Sequence, residues 1–422
     1  MRLASINHAT EACEADIKGD VIPVDVASAK AVAVAKPITQ TERLPLAEAR
    51  GRILAAGLRA SVDLPPFNSS AMDGYAIRME ALEGNGPWTL PVAGRAAAGD
   101  AVRNSWADAA AIQIFTGAAI PQGFDGVLMQ EHCERAGERI VLRRRPRDGE
   151  HIRRAGEDVT AGTAIMESGV LLTPQRLALL AGQGFVETEV IRKVRVGLIS
   201  TGTELRDPGA PLGPGQIYNS NRVMIGTMLA AMPWVEVIDY GIVPDRLDAL
   251  CEAFGQAASR CDVLVSTGGV SAGEEDHVVA ALGRQGGALD VLKVAMRPGK
   301  PVKIGLIGAM LFAGLPGNPN AALVTFRQIA LPAIRTVGGL RSVSPEWSPA
   351  VAGFDYDKRL GRTEFVPVRT AGRDEIGRPV LEMLGRGSSG SLMAMAMADG
   401  IALLPPDVAT IERGMPLCFE PL

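Results

Sequence analysis

Residues 266–277 read S-T-G-G-V-S-A-G-E-E-D-H, placing Gly268 and Gly269 just before three consecutive acids, Glu274, Glu275 and Asp276. Ser271 and Glu274 stand in capping-box spacing, which predicts a helix start with Glu275 and Asp276 in its first turn. Acids there can simply offset the helix dipole, for about 0.3–1 kcal/mol each. The glycines allow a second use, because backbone N–H groups exposed in such a turn attract phosphate. Three carboxylates would repel that phosphate unless a divalent cation lay between them. Mg²⁺ fits, since it takes oxygen ligands and shares them with substrate phosphates. Residues 200–205, S-T-G-T-E-L, repeat the arrangement with Ser200, Gly202 and one acid, Glu204. An ordinary strand-to-helix turn would look the same. Glu204 and Asp276 are the candidate cation ligands.

A third loop, 296–301, reads M-R-P-G-K-P and, with Lys293 and Lys303, gathers four cations. A solvated charged face is one explanation. The other is phosphate capture, because Pro298 and Pro301 stiffen the loop and fix where Arg297 and Lys300 point. The loop 64–76, L-P-P-F-N-S-S-A-M-D-G-Y-A, carries one acid, Asp73, which could also serve as a plain Asp-Gly turn. Arg153, Arg154, Glu157 and Asp158 read either as a surface ion-pair cluster or as part of a site. Arg143, Arg144, Arg145 and Arg147 read as a solvated edge.

Signatures of other chemistries are missing. Gly299-Lys300 is followed by Pro301, so the P-loop pattern fails, and no G-x-G-x-x-G follows an expected strand. There is no H-E-x-x-H, no histidine ligand spacing, and no G-x-S-x-G nucleophile elbow. Phosphates would then be held by backbone turns and cations, and any metal by oxygen.

The elements that must position these residues follow a change of rhythm along the chain. From Val194, strands alternate with glycine turns and helices: a strand over 194–200, a helix after Asn219-Ser220-Asn221, a strand over 234–241 and a helix over 247–258. Further strands over 263–266 and 310–313 lead into Thr267-Gly268-Gly269 and Leu315-Pro316-Gly317-Asn318-Pro319. Asn318 is the expected cap of the last helix, with Pro319 in its first turn. This pattern predicts a doubly wound α/β domain, whose ligands sit at the carboxyl ends of its strands. Before it, Leu46, Ala49, Ile53, Leu54 and Leu58 have helical spacing. Residues 88–145 read as a small β domain, and a helix is expected after Thr173-Pro174. Residues beyond about 343 return to short strands.

The composition is that of a globular protein: 422 residues, 47% apolar, 21% charged. A net charge of −4 and 4% aromatic content argue against a nucleic-acid partner. The 48 glycines and 28 prolines exceed the usual ~12% combined, predicting many turns. Five scattered cysteines without a C-x-x-C pair fit a reducing compartment. No stretch is apolar enough to span a bilayer, so no membrane partner and a cytoplasmic location are expected.

Taken together, eight segments in order resemble the molybdopterin molybdenumtransferase family, which includes the C-terminal region of gephyrin. They are 65–76, 116–131, 153–158, 200–221, 268–276, 297–301, 315–319 and 361–365. The resemblance implies an α/β plus β, multidomain fold, with a doubly wound α/β molybdopterin-binding domain flanked by small β domains. Its expected divisions are an N-terminal arm over 1–40, an elongated helical and β linker domain over 41–75 and 154–193, and a small β domain over 76–153. The α/β domain would span 194–343, and a C-terminal β-barrel-like domain 344–422. The implied reaction inserts molybdate into adenylylated molybdopterin, cleaving its pyrophosphate and releasing AMP with Mg²⁺. The implied assembly is a homodimer of elongated subunits with the site in a cleft between them. The molybdopterin-adenylating enzyme and acceptor molybdoenzymes are the implied protein partners.

Carried onto this sequence, Asp73, Asp158, Glu204 and Asp276 would be catalytic, with Glu204 and Asp276 on Mg²⁺. Thr116, Arg153, Ser200, Gly202, Asp245, Gly268, Gly269, Lys293, Arg297, Lys300, Pro316 and Pro319 would bind the substrates. Five departures from the family's usual pattern stand out. Asn68 and Thr203 replace acids, Asn320-Ala321 replace Val-Ser, Pro367 replaces Arg, and Arg297 replaces a frequent Lys. Because of them a non-catalytic molybdopterin-binding or scaffold paralogue is the alternative, and a hydrolase of another nucleotide pyrophosphate a third reading.

Overall fold

The computed structural model describes residues 21–101, 106, 109–269, 277–299, 301–385 and 390–422. The chain forms two compact units: Arg43–Arg50 with Leu54–Val190, and the remainder, Met1–Glu42, Gly51–Ile53 and Ile191–Leu422. Within the expected loose arm, Val24–Val34 is instead a helix, α1, with Ala27 and Ala31 fully buried. Its Ala- and Val-rich sequence lacks a polar face, so periodicity did not reveal it, yet its small residues allow close packing.

In the first unit, six strands form one sheet: β1 (Gly74–Ile77), β2 (Trp88–Ala96), β3 (Ala111–Ile114), β4 (Gly126–Met129), β5 (Cys133–Ala136) and β6 (Arg139–Leu142). Their order is β4-β1-β3-β2-β6-β5, antiparallel except for the parallel pair β2–β3. Trp106 and Ile112 lie in one core cluster of the sheet, Tyr75 and Leu128 in another. Helix α2 (Pro174–Gly182) starts where Thr173-Pro174 predicts, and the Thr173 hydroxyl accepts from the Arg176 N–H. The expected helix over 46–58 does not form. Leu46–Glu48 makes one 3₁₀ turn, Gly51 turns the chain at φ +70°, and Leu58–Arg59 pairs with Ala164–Met166. Ala49 and Leu54 reach the core through this irregular path, packing with Leu172, Leu180 and Val190. The arginines expected on a solvated edge are exposed, and three of them have partners. Arg144 holds Glu150 through both oxygens, Arg145 donates to the Leu82 and Met79 carbonyls, and Arg143 pairs with Glu134.

The second unit is built on a six-stranded sheet of order β8-β7-β9-β12-β11-β10. Its strands are β7 (Val194–Thr201), β8 (Val235–Val243), β9 (Val263–Thr267), β10 (Ala288–Lys293), β11 (Pro301–Ile307) and β12 (Met310–Leu315). The first four in that order are parallel; β11 and β10 add an antiparallel edge. Helices α3 (Ser220–Ala230), α4 (Leu247–Arg260), α5 (His277–Arg284), α6 (Pro319–Thr325) and α7 (Leu331–Val337) alternate with the strands or follow them. Parallel strands covered on both faces become continuously apolar, and seven of the eight residues of β7 are buried. Phe254 of α4 packs on Phe312 of β12 with ring centroids 5.4 Å apart, in a core with Leu250, Leu264 and Leu282. Helix α1 packs against α7. The capping box at Ser271–Glu274 lies outside the described residues.

The same unit contains the C-terminal strands β13 (Ser348–Ala352), β14 (Thr363–Arg373), β15 (Pro379–Met383), β16 (Gly400–Leu404) and β17 (Pro416–Pro421). The pairings β14-β15-β13-β17-β16-β14 close a five-stranded barrel around Val366, Val368, Ala402 and Phe419. Residues 296–297 add to β14 in parallel, pairing with Thr363 and Glu364.

Candidate functional site

The carboxyl ends of β7, β9 and β12 converge because glycine lets their turns touch. Gly268 sits at φ +86°, and a β-carbon there would lie 2.2 Å from the Thr201 carbonyl oxygen. Gly269, at φ +63°, faces the Thr201 hydroxyl, with a built β-carbon 2.6 Å from its Oγ1. The Gly268 N–H donates to the Leu315 carbonyl at 3.2 Å, and the Asn221 side-chain amide donates to the Gly317 carbonyl at 2.7 Å. Ser200 and Thr267, on adjacent strands, share a hydroxyl hydrogen bond of 2.9 Å. The Glu204 carboxylate folds back over Gly202, within 2.6 Å of where a β-carbon would stand. Asp245 follows the end of β8, the parallel neighbour of β7, and is half-buried.

The structure thus brings together Ser200, Gly202, Glu204, Gly268, Gly269, Pro316 and Pro319, with Asp245 at the same edge of the sheet. Buried polar atoms without a hydrogen-bond partner among the described residues mark the spot: Thr201 Oγ1 and Ser266 Oγ, joined by Asn221 Oδ1. Burying such groups unsatisfied costs roughly 1–3 kcal/mol each, so several gathered at strand ends are unusual for packing alone. Asn318 begins α6 as expected, but its side chain makes no capping bond.

The cation loop is fixed from both sides. The Ile22 N–H donates to the Lys293 carbonyl at 2.9 Å, and the Thr363 N–H donates to the Ala295 carbonyl at 3.0 Å. The Arg297 guanidinium donates to Tyr356 Oη at 3.3 Å and lies 3.4 Å from Glu364 Oε2, a buried carboxylate that also accepts from the Tyr356 hydroxyl. Burial first, then that carboxylate, pushes the Tyr356 phenol up, keeping it a donor. Lys293 is half-buried on β10. Lys300 and Asp276 lie outside the described residues. Lys303 does not belong to the exposed run at all: it is 1% exposed, and its Nζ donates to the Gly269 carbonyl at 2.8 Å.

A second constellation forms in the unit that contains β1–β6. Asp73 Oδ1 accepts both the Thr116 N–H, at 2.8 Å, and the Thr116 hydroxyl, at 2.7 Å. These two donors hold its carboxyl below the usual carboxylate range while leaving it exposed. Arg153 pairs with Ser69 in a two-residue ladder, Asn68 Oδ1 accepts from the Ala155 N–H at 2.9 Å, and the Asp158 N–H donates to the Leu64 carbonyl at 3.0 Å. Asp73, Thr116, Arg153 and Asp158 therefore lie on three loops stitched together by backbone bonds. Asp158 and Arg153 are exposed, and among the described residues the Arg153 guanidinium makes no ion pair.

The two residues singled out for a cation, Glu204 and Asp276, offer carboxylate oxygens, and among the described residues no three His, Cys, Asp or Glu form a metal cage. Comparison with known proteins is decisive for the family. Three family profiles match in succession: the MoeA N-terminal region (domain I and II) over residues 22–184, a probable molybdopterin binding domain over 197–336, and the MoeA C-terminal region (domain IV) over 349–422. The molybdopterin molybdenumtransferase of Haemophilus influenzae is 41% identical over 78% of this chain and 80% of its own length. Molybdopterin molybdenumtransferase 2 of Mycobacterium tuberculosis is 35% identical over 90% of this chain and 94% of its own. This chain belongs to the molybdopterin molybdenumtransferase family.

The family consists of transferases of molybdenum cofactor biosynthesis. A crystal structure of the molybdopterin biosynthesis moeA protein from Pyrococcus horikoshii superposes with a TM-score of 0.80 at 27% identity, covering 96% of this chain and all of that one. Against the family pattern, the change to Asn68 removes a charge but keeps a bond that an aspartate would also make, the one to Ala155. Thr203 is exposed, and Pro367 lies buried in β14 with its carbonyl accepting from Leu384. Among the described residues, no helix is long and apolar enough to cross a membrane. Thr201, Ser266, Asn221, Tyr356 and Glu364 were not singled out from sequence. Their types are common, and only their burial or lack of partners sets them apart.

Proposed function

We propose that the protein inserts molybdate into adenylylated molybdopterin, cleaving the pyrophosphate link and releasing AMP. The observation that carries the reading is the meeting of three glycine turns at the ends of β7, β9 and β12, where two buried hydroxyls, on Thr201 and Ser266, lack partners among the described residues. Such a seat suits a polyanionic substrate placed at strand ends. Glu204 and Asp276 would hold Mg²⁺, which supplies charge neutralisation at the pyrophosphate when bound. The oxygen-only donors and the carboxylate folded over Gly202 suit that ion. Ser200, Gly202, Gly268, Gly269, Pro316 and Pro319 shape the turn surface, Asp245 borders it, and Lys293, Arg297 and Lys300 supply positive charge.

In this reading Asp73, Thr116, Arg153 and Asp158 handle incoming molybdate. Arg153 attracts the dianion, and Thr116 fixes the Asp73 carboxylate so that its second oxygen faces outward. The protein acts as a homodimer, with the Asp73 constellation of one subunit serving the strand-end constellation of its partner.

The test mixes purified protein with adenylylated molybdopterin, Mg²⁺ and molybdate. AMP release that depends on molybdate is the expected result. Release without molybdate would mean a hydrolase, and binding without release would mean a scaffold. Glu204→Ala or Asp276→Ala is expected to lower release by about 10- to 1,000-fold and to raise the Mg²⁺ requirement.

A further inference from the structure

Lys303 is a cation in an unusual place. It sits on β11, 1% exposed, within the sheet rather than at its rim. Its register partner on β12 is Gly314. A β-carbon built on Gly314 would lie 3.1 Å from the Lys303 Cβ and 3.5 Å from Ser266 Oγ, the partnerless hydroxyl on β9. The absent side chain at Gly314 leaves room for the base of the lysine side chain beside β12. The stem ends with Nζ donating to the Gly269 carbonyl at 2.8 Å. Burying an ammonium group is expensive unless its protons find oxygen acceptors. A nonpolar side chain would fill this strand position without that penalty, so the charge at 303 is there for what it holds.

What it holds is the glycine turn. Gly268 and Gly269 both have positive φ, a conformation that glycine adopts freely and also leaves freely. The Gly268 N–H is fixed from one side by the Leu315 carbonyl. The Gly269 carbonyl is fixed from the other side by Lys303. We propose that Lys303 is a positioning residue: it clamps the Gly268–Gly269 turn from inside the sheet, so that the turn is preformed for the anionic end of the substrate. The proposal rests on the strand-end reading above and adds the group that makes the seat rigid. A rigid seat saves the ordering cost at binding, so the clamp acts on affinity more than on the chemical step.

The experiment compares the full-length wild type with Lys303→Met, Lys303→Arg and Gly314→Ala. It follows molybdate-dependent AMP release, equilibrium binding of molybdopterin, and thermal unfolding. Lys303→Met is expected to raise KM and the molybdopterin Kd by about tenfold or more, with kcat within about threefold. Lys303→Arg keeps charge and donors and is expected to recover most of that loss. Gly314→Ala crowds the stem while leaving the ammonium in place, and is expected to raise KM and Kd in a folded protein. This last variant decides the matter should Lys303→Met not fold. Unchanged Kd in folded Lys303→Met, or in Gly314→Ala, overturns the proposal, as does an equal fall of kcat and kcat/KM. Glu204→Ala, run alongside, separates the two ideas. If Glu204→Ala loses activity while the Lys303 and Gly314 variants keep wild-type binding, the clamp alone is wrong. If none of the variants changes binding or turnover, the strand-end reading itself fails.

Discussion

At Asp73 two donors from one residue meet on one oxygen. The backbone and hydroxyl of Thr116 both stabilise the ionised carboxylate, and both bonds weaken when the acid is protonated. Because the folded-state pKa is depressed, this stabilisation is present above the ordinary carboxylate range and is lost as pH falls through the lowered value. Thr116→Val removes the hydroxyl donor and keeps the backbone one. The expected outcome is an acid limb of the pH–activity profile that moves to higher pH, measured as kcat/KM from neutral to acidic buffers. An acid limb that stays in place would show that Asp73 is not the group being titrated. Asn68 is a contrasting case. Its amide oxygen already makes the bond to Ala155, so Asn68→Asp is expected to change unfolding stability by less than about 0.5 kcal/mol, read by denaturant titration.

Among elements, the turn after β9 tolerates little change. Gly268 combines φ +86° with a backbone oxygen 2.2 Å from where a β-carbon would sit, and that oxygen belongs to a neighbouring strand end that cannot swing aside. Gly268→Ala is expected to lower stability by about 1–3 kcal/mol and to abolish substrate binding, checked by thermal unfolding and by titration with molybdopterin. The loop after β6 makes a different prediction. Glu150 is held by Arg144 through both oxygens and by the Arg147 N–H, and the Arg144 contact does most to bring its pKa down to about 2. Its stabilisation therefore persists well below the ordinary glutamate range. Arg144→Ala is expected to bring acid unfolding of this unit to higher pH, followed by circular dichroism against pH.

These elements also show what the sequence made legible. The parallel strands at 194, 235, 263 and 310 and the helices after Asn219, at Leu247 and after Asn318 could be placed because glycine, asparagine and proline punctuate them. The antiparallel edge strands Ala288–Lys293 and Pro301–Ile307 could not. The stretch 46–58 could not, because its apolar spacing matches a helix while Gly51 and the pairing of Leu58 demand an irregular path. Strand 296–297 is two residues long, and no periodicity exists in two residues. The candidate site was legible where unusual residue types cluster, at Glu204, Gly268-Gly269 and Asp73. It was hidden where ordinary residues gain meaning from burial, as at Lys303 and Glu364.

For the whole molecule, the homodimer proposal makes a strong demand. Asp73→Ala and Glu204→Ala should each be inactive alone. Refolded together, they should regain activity toward about a quarter of wild type, because about half of the dimers are mixed and each mixed dimer has one intact site. No recovery, with dimers confirmed by sedimentation, would mean that both constellations must come from one chain or that they do not cooperate. The C-terminal barrel constrains partners in another way. Its five strands close on one another, and at Thr363 and Glu364, beyond the reach of β15, β14 is paired by Met296 and Arg297. At Glu364, held between β16 and Met296–Arg297, no open ladder is left among the described residues for a visiting peptide to extend, so any protein that docks at that point must recognise side chains rather than borrow backbone bonds. A mutation that displaced Met296 and Arg297 would bare that end of β14 to strand-to-strand aggregation and loosen the grip on Arg297 at one stroke.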